Sequence, residues 1–276
     1  MKTRVISAIV GILVLLAVLA AFNTPVLNVA LFAISCLAVF EMARAVLGNY
    51  KWPMAVLGFV LCGVGCFYNY LAPHIGYTPL LLVLVLYWIC ALSVSVFCFT
   101  ALPFGDVATV AIETINIAFA FGLIPYLRTT LGDHSLIVLI FALCCAWVAD
   151  TGAYFTGRAF GKHKLAPHVS PKKTVEGLVG GMLTCAVVVV GIGLGYSAYH
   201  GSGVSVNFVA LAVNALIASL AGVMGDLVAS AIKRRHNIKD YGNIMPGHGG
   251  VMDRFDSVLY TLPVVVVFNM CFPIFG

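Results

Sequence analysis

Apolar residues run along this chain in continuous blocks rather than in alternation. Nine blocks of roughly 20 residues stand out, at 5–22, 26–46, 53–71, 79–99, 107–127, 135–156, 177–198, 206–229 and 257–275. A block of that length crosses a ~30 Å hydrocarbon core as a helix. Strands of a membrane barrel alternate apolar and polar positions, which these blocks do not, so a β-barrel is excluded. The pattern predicts an all-α, polytopic integral membrane protein of about nine transmembrane helices. The opening MKTR with its apolar block also has the form of a secretory signal. No small-x-small cleavage site precedes Pro25, so an uncleaved first helix is expected.

Composition sharpens this picture. The chain is 62% hydrophobic with only 9% charged residues, and its mean hydropathy is +1.07, far from soluble domains with about a quarter charged. Its nine cysteines (36, 62, 66, 90, 98, 144, 145, 185 and 271) all fall inside apolar blocks. They read as small hydrophobes, with no disulfide or metal framework.

Charge placement sets the expected orientation. With a cytoplasmic N-terminus, the inner segments are 1–4, 46–52, 100–106, 157–176 and 230–256. These and the adjoining helix ends hold 14 of the 15 Lys and Arg residues, Arg128 being the exception. The net charge of +5 is then a feature of the cytoplasmic face, suited to anionic lipid; no nucleic-acid partner is expected. A cytoplasmic (inner) membrane location follows, with the active site facing the cytoplasm.

No internal repeat divides the chain, but its halves differ. Residues 1–133 carry few charges and no motif, and read as scaffold helices. Residues 134–276 carry the candidate chemistry. There, 226–256 hold nine of the chain's 25 Asp, Glu, Lys and Arg residues, interleaved with Gly, Pro and His. Asp226 lies four residues before Ser230 and seven before Lys233, on one helical face. Asp253 and Asp256 are spaced i, i+3, which would place both carboxylates on one face at the start of the last span. Three such carboxylates offer a hard oxygen site for Mg²⁺ or Mn²⁺, with scope for a second cation. Between them runs PGHGG (246–250), whose glycines admit backbone N–H groups close to a ligand. Lys233, Arg234, Lys239 and Arg254 flank it. Upstream, Asp150 sits near the end of a span, where an acid is costly unless paired or bound. Ser170, Lys172 and Lys173, in SPKKTVEG just before a helix, suit an anion. Glu113 either lines a cavity or is a buried, hydrogen-bonded residue.

The ordered run Ser230-x-Ile232-Lys233-Arg234-x4-Lys239-Asp240-x-Gly242-x3-Pro246-x-His248-Gly249-Gly250-Val251-x-Asp253-Arg254-Phe255-Asp256 resembles the signature of the phosphatidate cytidylyltransferase (CDP-diacylglycerol synthase) family. DTGAY (150–154), Gly161-Lys162 and SPKKTVEG (170–177) resemble it too. The likeness implies transfer of CTP's cytidylyl group to phosphatidic acid, leaving CDP-diacylglycerol and pyrophosphate. It implies a divalent cation on Asp226, Asp253 and Asp256. Lys239, His248 and Arg254 would bind the triphosphate, with backbone contacts from Gly249 and Gly250. Lys172 and Lys173 would hold the phosphatidate head group or the leaving pyrophosphate, Ser170 and Ser230 would support either substrate, and Asp150 and Asp240 would orient lysines. Two rivals stand. A transporter would place its acids at the midplane within inverted repeats; a CTP-dependent kinase of a polyisoprenoid or phytol alcohol would need a base near the alcohol. Gly177, Gly180 and Gly181 suit helix packing, either within the chain or in a homodimer.

Overall fold

The computed structural model of the chain describes residues 2–276 except Tyr77, Met245, Pro246 and His248; the side chains of residues 2–8 and Ser202 also lie outside the description. The helices are α1 (Lys2–Ala20), α2 (Pro25–Leu47), α3 (Trp52–Ile75), α4 (Thr78–Phe97), α5 (Phe104–Leu131), α6 (Ser135–Phe160), α7 (Val175–His200), α8 (Phe208–Arg235), a single turn α9 (Met252–Phe255) and α10 (Val258–Cys271). Each apolar block coincides with one of α1 to α8 or with α10. Among the described residues, six helical stretches are long and apolar enough to cross a membrane, with α5 and α6 forming one stretch. Large apolar side chains such as Phe97 and Val187 stand exposed along them, as on a surface that meets lipid rather than water. The protein is a helical, polytopic membrane protein.

Three local features depart from the sequence pattern. Residues 164–174 form an antiparallel hairpin of β1 (Lys164–Ala166) and β2 (Ser170–Thr174), pairing Lys164 with Thr174. Helix α10 stops at Cys271, short of the predicted 275, because Pro273 cannot continue it. The tail pairs instead with the residues before α8, Ser205 and Gly276 exchanging backbone hydrogen bonds. The lead-in to the last predicted span is also broken. Asp256 Oδ1 accepts the Ser257 amide at 2.8 Å, a local bond that competes with helical pairing. Asp253 therefore belongs to α9, while Asp256 lies between α9 and α10. The two are not on one helical face, as their spacing predicts.

The chain divides into two compact units. Unit 1 is residues 1–132 with 235–255; unit 2 is 133–234 with 256–276. In unit 1, α3 packs on α5 and α2 on both, and residues 235–255 join them. In unit 2, α6 packs on α7 along its length, with Gly181 against the Ala149 carbonyl. These glycines thus pack two helices of the same chain.

Arg128, the one basic residue outside the predicted inner segments, has a structural explanation. Its guanidinium donates to the carbonyls of Phe22 and Thr24, both at 3.0 Å, to Asn28 Oδ1 at 3.0 Å and to Tyr70 Oη at 3.3 Å. It ties the α1–α2 turn to α3 and α5. Arg128→Ala should lower stability by about 2–3 kcal/mol, a fall of roughly 5–10 °C in Tm in detergent. Turnover at 25 °C should stay unchanged, because Arg128 is ~33 Å along α5 from Asp106 at its other end. A thermal melt alongside an activity assay checks both.

Candidate active site

Unit 2 gathers three acids and two lysines. Asp226 comes from α8, Asp150 from α6, and Asp256 from the turn before α10. Gly225 makes this possible, because a methyl group there would fall 2.6 Å from the Asp256 carbonyl and 2.5 Å from the Tyr260 ring. Lys173, from β2, has its Nζ shut off from solvent, 2.5 Å from Asp226 Oδ2 and 4.0 Å from Asp150 Oδ1. Ser257 Oγ donates to Asp150 Oδ2 at 3.3 Å. Asp256 is buried, and burial pushes its carboxyl up to about 7, with the Asp226 charge adding to the rise. The nearby Lys233 ammonium works in the opposite direction. These are hard oxygen donors, three carboxyl groups against the two lysines.

The neighbouring lysines differ. Lys172 is exposed while Lys173 faces the acids, as strand alternation requires. The first turn of α7 is already capped. Thr174 Oγ1 accepts the Gly177 amide at 3.1 Å, and Glu176 accepts the amides of Lys162 and His163. With the Gly177 amide taken up, the cationic groups at this place are lysine side chains rather than the helix end. Ser170 and Ser230 are half-buried on β2 and α8, and Arg234 Nε reaches the Val169 carbonyl at 3.5 Å.

Unit 1 holds the glycine loop. Asp253 Oδ2 accepts the amides of Tyr241 at 2.7 Å and Gly250 at 3.0 Å, closing the loop on itself. Gly249 takes a positive φ of 86°, a conformation glycine adopts without penalty. Lys239, Asp240 and Arg254 are exposed; His248 lies outside the described residues. Arg235 and His236 turn toward buried Asp106 in the first turn of α5, at 3.5 and 3.7 Å.

Two residues that carry no expectation from the sequence also reach this loop. Glu41 Oε2 accepts the Met252 amide at 2.9 Å, and Arg44 donates to the Tyr241 carbonyl at 3.0 Å. An acid inside the 26–46 apolar block was the available signal, by the same cost argument applied to Asp150.

Among the described residues, no three His, Cys, Asp or Glu side chains stand close enough to hold a metal by themselves. Mg²⁺ does not need such a cage, because it is commonly held by one or two carboxylates together with substrate phosphates. Asp226 and Asp256 fit that requirement.

Residues 2–272 match the profile of the cytidylyltransferase family. The chain belongs to the cytidylyltransferase family. It is 31% identical over 267 residues to a phosphatidate cytidylyltransferase of Bacillus subtilis (strain 168), covering 95% of each chain. It is 34% identical over 272 residues to one of Staphylococcus aureus (strain COL), covering 96% of this chain and 97% of the relative. A Staphylococcus haemolyticus protein of the same name is 37% identical over 174 residues, 63% of each chain. This cytidylyltransferase is thus a membrane nucleotidyltransferase, and its likeness to these relatives includes the first half, where the sequence shows no motif.

Proposed function

We propose that the enzyme joins CTP to phosphatidic acid at the cytoplasmic face of the membrane, releasing pyrophosphate and leaving CDP-diacylglycerol in the bilayer. The likeness over nearly the whole chain to relatives named phosphatidate cytidylyltransferase carries this reading; the acid and lysine cluster of unit 2 supplies fitting chemistry.

A phosphatidate phosphate oxygen attacks the α-phosphorus of CTP, and the bond to the β-phosphate oxygen breaks. The nucleophile is already anionic, so the chain need only position it and offset charge. Asp226 and Asp256 would hold a Mg²⁺ or Mn²⁺ ion, and the resemblance implies Asp253 as a further ligand. The ion, when bound, neutralises charge on the phosphates. Lys173 is held by Asp226 and Asp150 at a fixed place, ready to exchange a carboxylate for a phosphate. Lys233 and Lys172 are further phosphate-binding ammoniums, and Lys239, His248 and Arg254 serve the triphosphate from the glycine loop. Phosphatidate stays in the bilayer because each buried CH₂ is worth ~0.8 kcal/mol.

The test is incorporation of label from α-labelled CTP into lipid by the purified protein with phosphatidic acid in detergent. We expect CDP-lipid and equimolar pyrophosphate with Mg²⁺, and neither with excess chelator. Transfer of the γ-phosphate to a lipid alcohol, with no CDP-lipid, would replace this reading by the lipid kinase.

A further inference from the structure

Glu41 lies in α2, far along the chain from every residue given a chemical role above. It is nevertheless the most buried acid among the described residues of the protein, 1% exposed. Burying a carboxylate costs several kcal/mol unless something in the fold requires it. A residue there only to fill space would be Leu or Met.

The requirement is visible in the loop. Glu41 Oε2 accepts the Met252 amide, while Oε1 has no hydrogen-bond partner among the described residues. Gly242 and Gly250 press their Cα atoms against this carboxylate, and a methyl group on either would overlap its oxygens. Two separated points of the loop therefore close over one side chain. Arg44, three residues further along α2, donates to the Tyr241 carbonyl. Since Asp253 accepts the Tyr241 amide, this residue is gripped at both its N–H and its C=O. Fixing backbone in this way removes conformational freedom that the free loop would otherwise keep.

We infer that Glu41 and Arg44 are positioning residues for nucleotide binding: they fix residues 241–242 and 249–252 of the glycine loop, whose Tyr241, Gly250 and Met252 amides are taken up by Asp253 and Glu41, so that the flanking Lys239 and Arg254 are presented to a triphosphate. This rests on the cytidylyltransferase reading, and neither residue touches substrate. It gives part of the N-terminal half a specific job. Because Gln still offers an oxygen to the Met252 amide, Glu41→Gln should keep the loop's shape, whereas Glu41→Leu should not.

The experiment combines steady-state kinetics with hydrogen exchange of the purified protein. Glu41→Leu should raise KM for CTP about 10–100-fold, the usual cost of losing a supporting partner, with KM for phosphatidic acid unchanged. Without any substrate, exchange across 241–252 should accelerate at least about tenfold, while α3 and α5 stay protected. Glu41→Gln should remain within about threefold of wild type on both readouts. If Glu41→Leu does not fold, Arg44→Gln decides the matter by the same two readouts. Wild-type KM values and loop exchange in the folded variants would overturn the inference. So would a fall in turnover with both KM values unchanged and exchange faster everywhere, which marks a merely structural role. If the wild-type protein does not use CTP, the function proposed above fails, and the exchange measurement still tests the clamp.

Discussion

Asp256→Asn is expected to lower CDP-lipid synthesis by about 10³-fold or more, the scale of losing a preorganised charge at a reacting phosphate. The replacement keeps the shape and an oxygen for the Ser257 amide, so folding should survive and the loss can be assigned to charge. Acidity gives a second signature. Burial, then the Asp226 charge, raises the Asp256 carboxyl to about 7, while an unfolded Asp titrates near 3.9. A cation needs the ionised form, so binding below pH 7 must release a proton. Mg²⁺ activation should improve about tenfold per pH unit up to pH ~7 and then level off. In metal-free protein the sign runs the other way. The folded group is raised, so its contribution to stability is full below the ordinary carboxylate range and is lost as pH rises through about 7. Chelator-treated enzyme should melt lower at pH 8 than at pH 6, and Mg²⁺ should restore the pH 8 value. A Mg²⁺ requirement independent of pH between 5.5 and 7, or an unchanged profile in Asp256→Asn, would remove Asp256 from the cation site.

Gly249→Ala is expected to damage the loop through backbone strain and a clash together. At a φ of 86° an L-residue is strained, at a cost of about 1–3 kcal/mol. The added methyl would also stand 2.9 Å from Asp253 Oδ2, the oxygen that holds the Tyr241 and Gly250 amides. Asp253 or the loop must yield, and activity should fall roughly 100-fold, as for a small misplacement of catalytic groups. Gly191→Ala is the control: in the middle of α7 a methyl there meets nothing within 4 Å. It should be neutral, or stabilising by about 0.5–1 kcal/mol. Equal activity in the two variants would show that the loop's backbone shape is unimportant to the reaction.

The helices were legible because membrane spans announce themselves by length: every apolar block became a helix. Asp226 and Asp256 were legible as hard oxygen donors at helix ends among interleaved basic residues and glycines. Their different secondary structure was not, because the turn at Asp256 depends on one side-chain bond to its own chain. Lys172 and Lys173 look equivalent until SPKKT is known to be a strand, whose alternation sends one outward and the other to Asp226. The hairpin itself is short, polar and interrupted by Pro167, so no periodicity betrays it. Glu41 was the clearest miss. Its partner amide lies 211 positions away, and no local pattern can announce a contact at that range.

That separation has a consequence for how the protein is made. Glu41, Arg44 and Asp106 enter the membrane early, but their partners in 235–252 are translated long after them. At about 5–20 residues per second, Glu41 waits roughly 10–40 s for the Met252 amide. Throughout that interval the nascent N-terminal helices carry buried charges without their eventual partners. The first unit cannot finish folding until residues 235–255 have been made, so a chain truncated before residue 235 leaves a permanently incomplete product for membrane proteases to recognise.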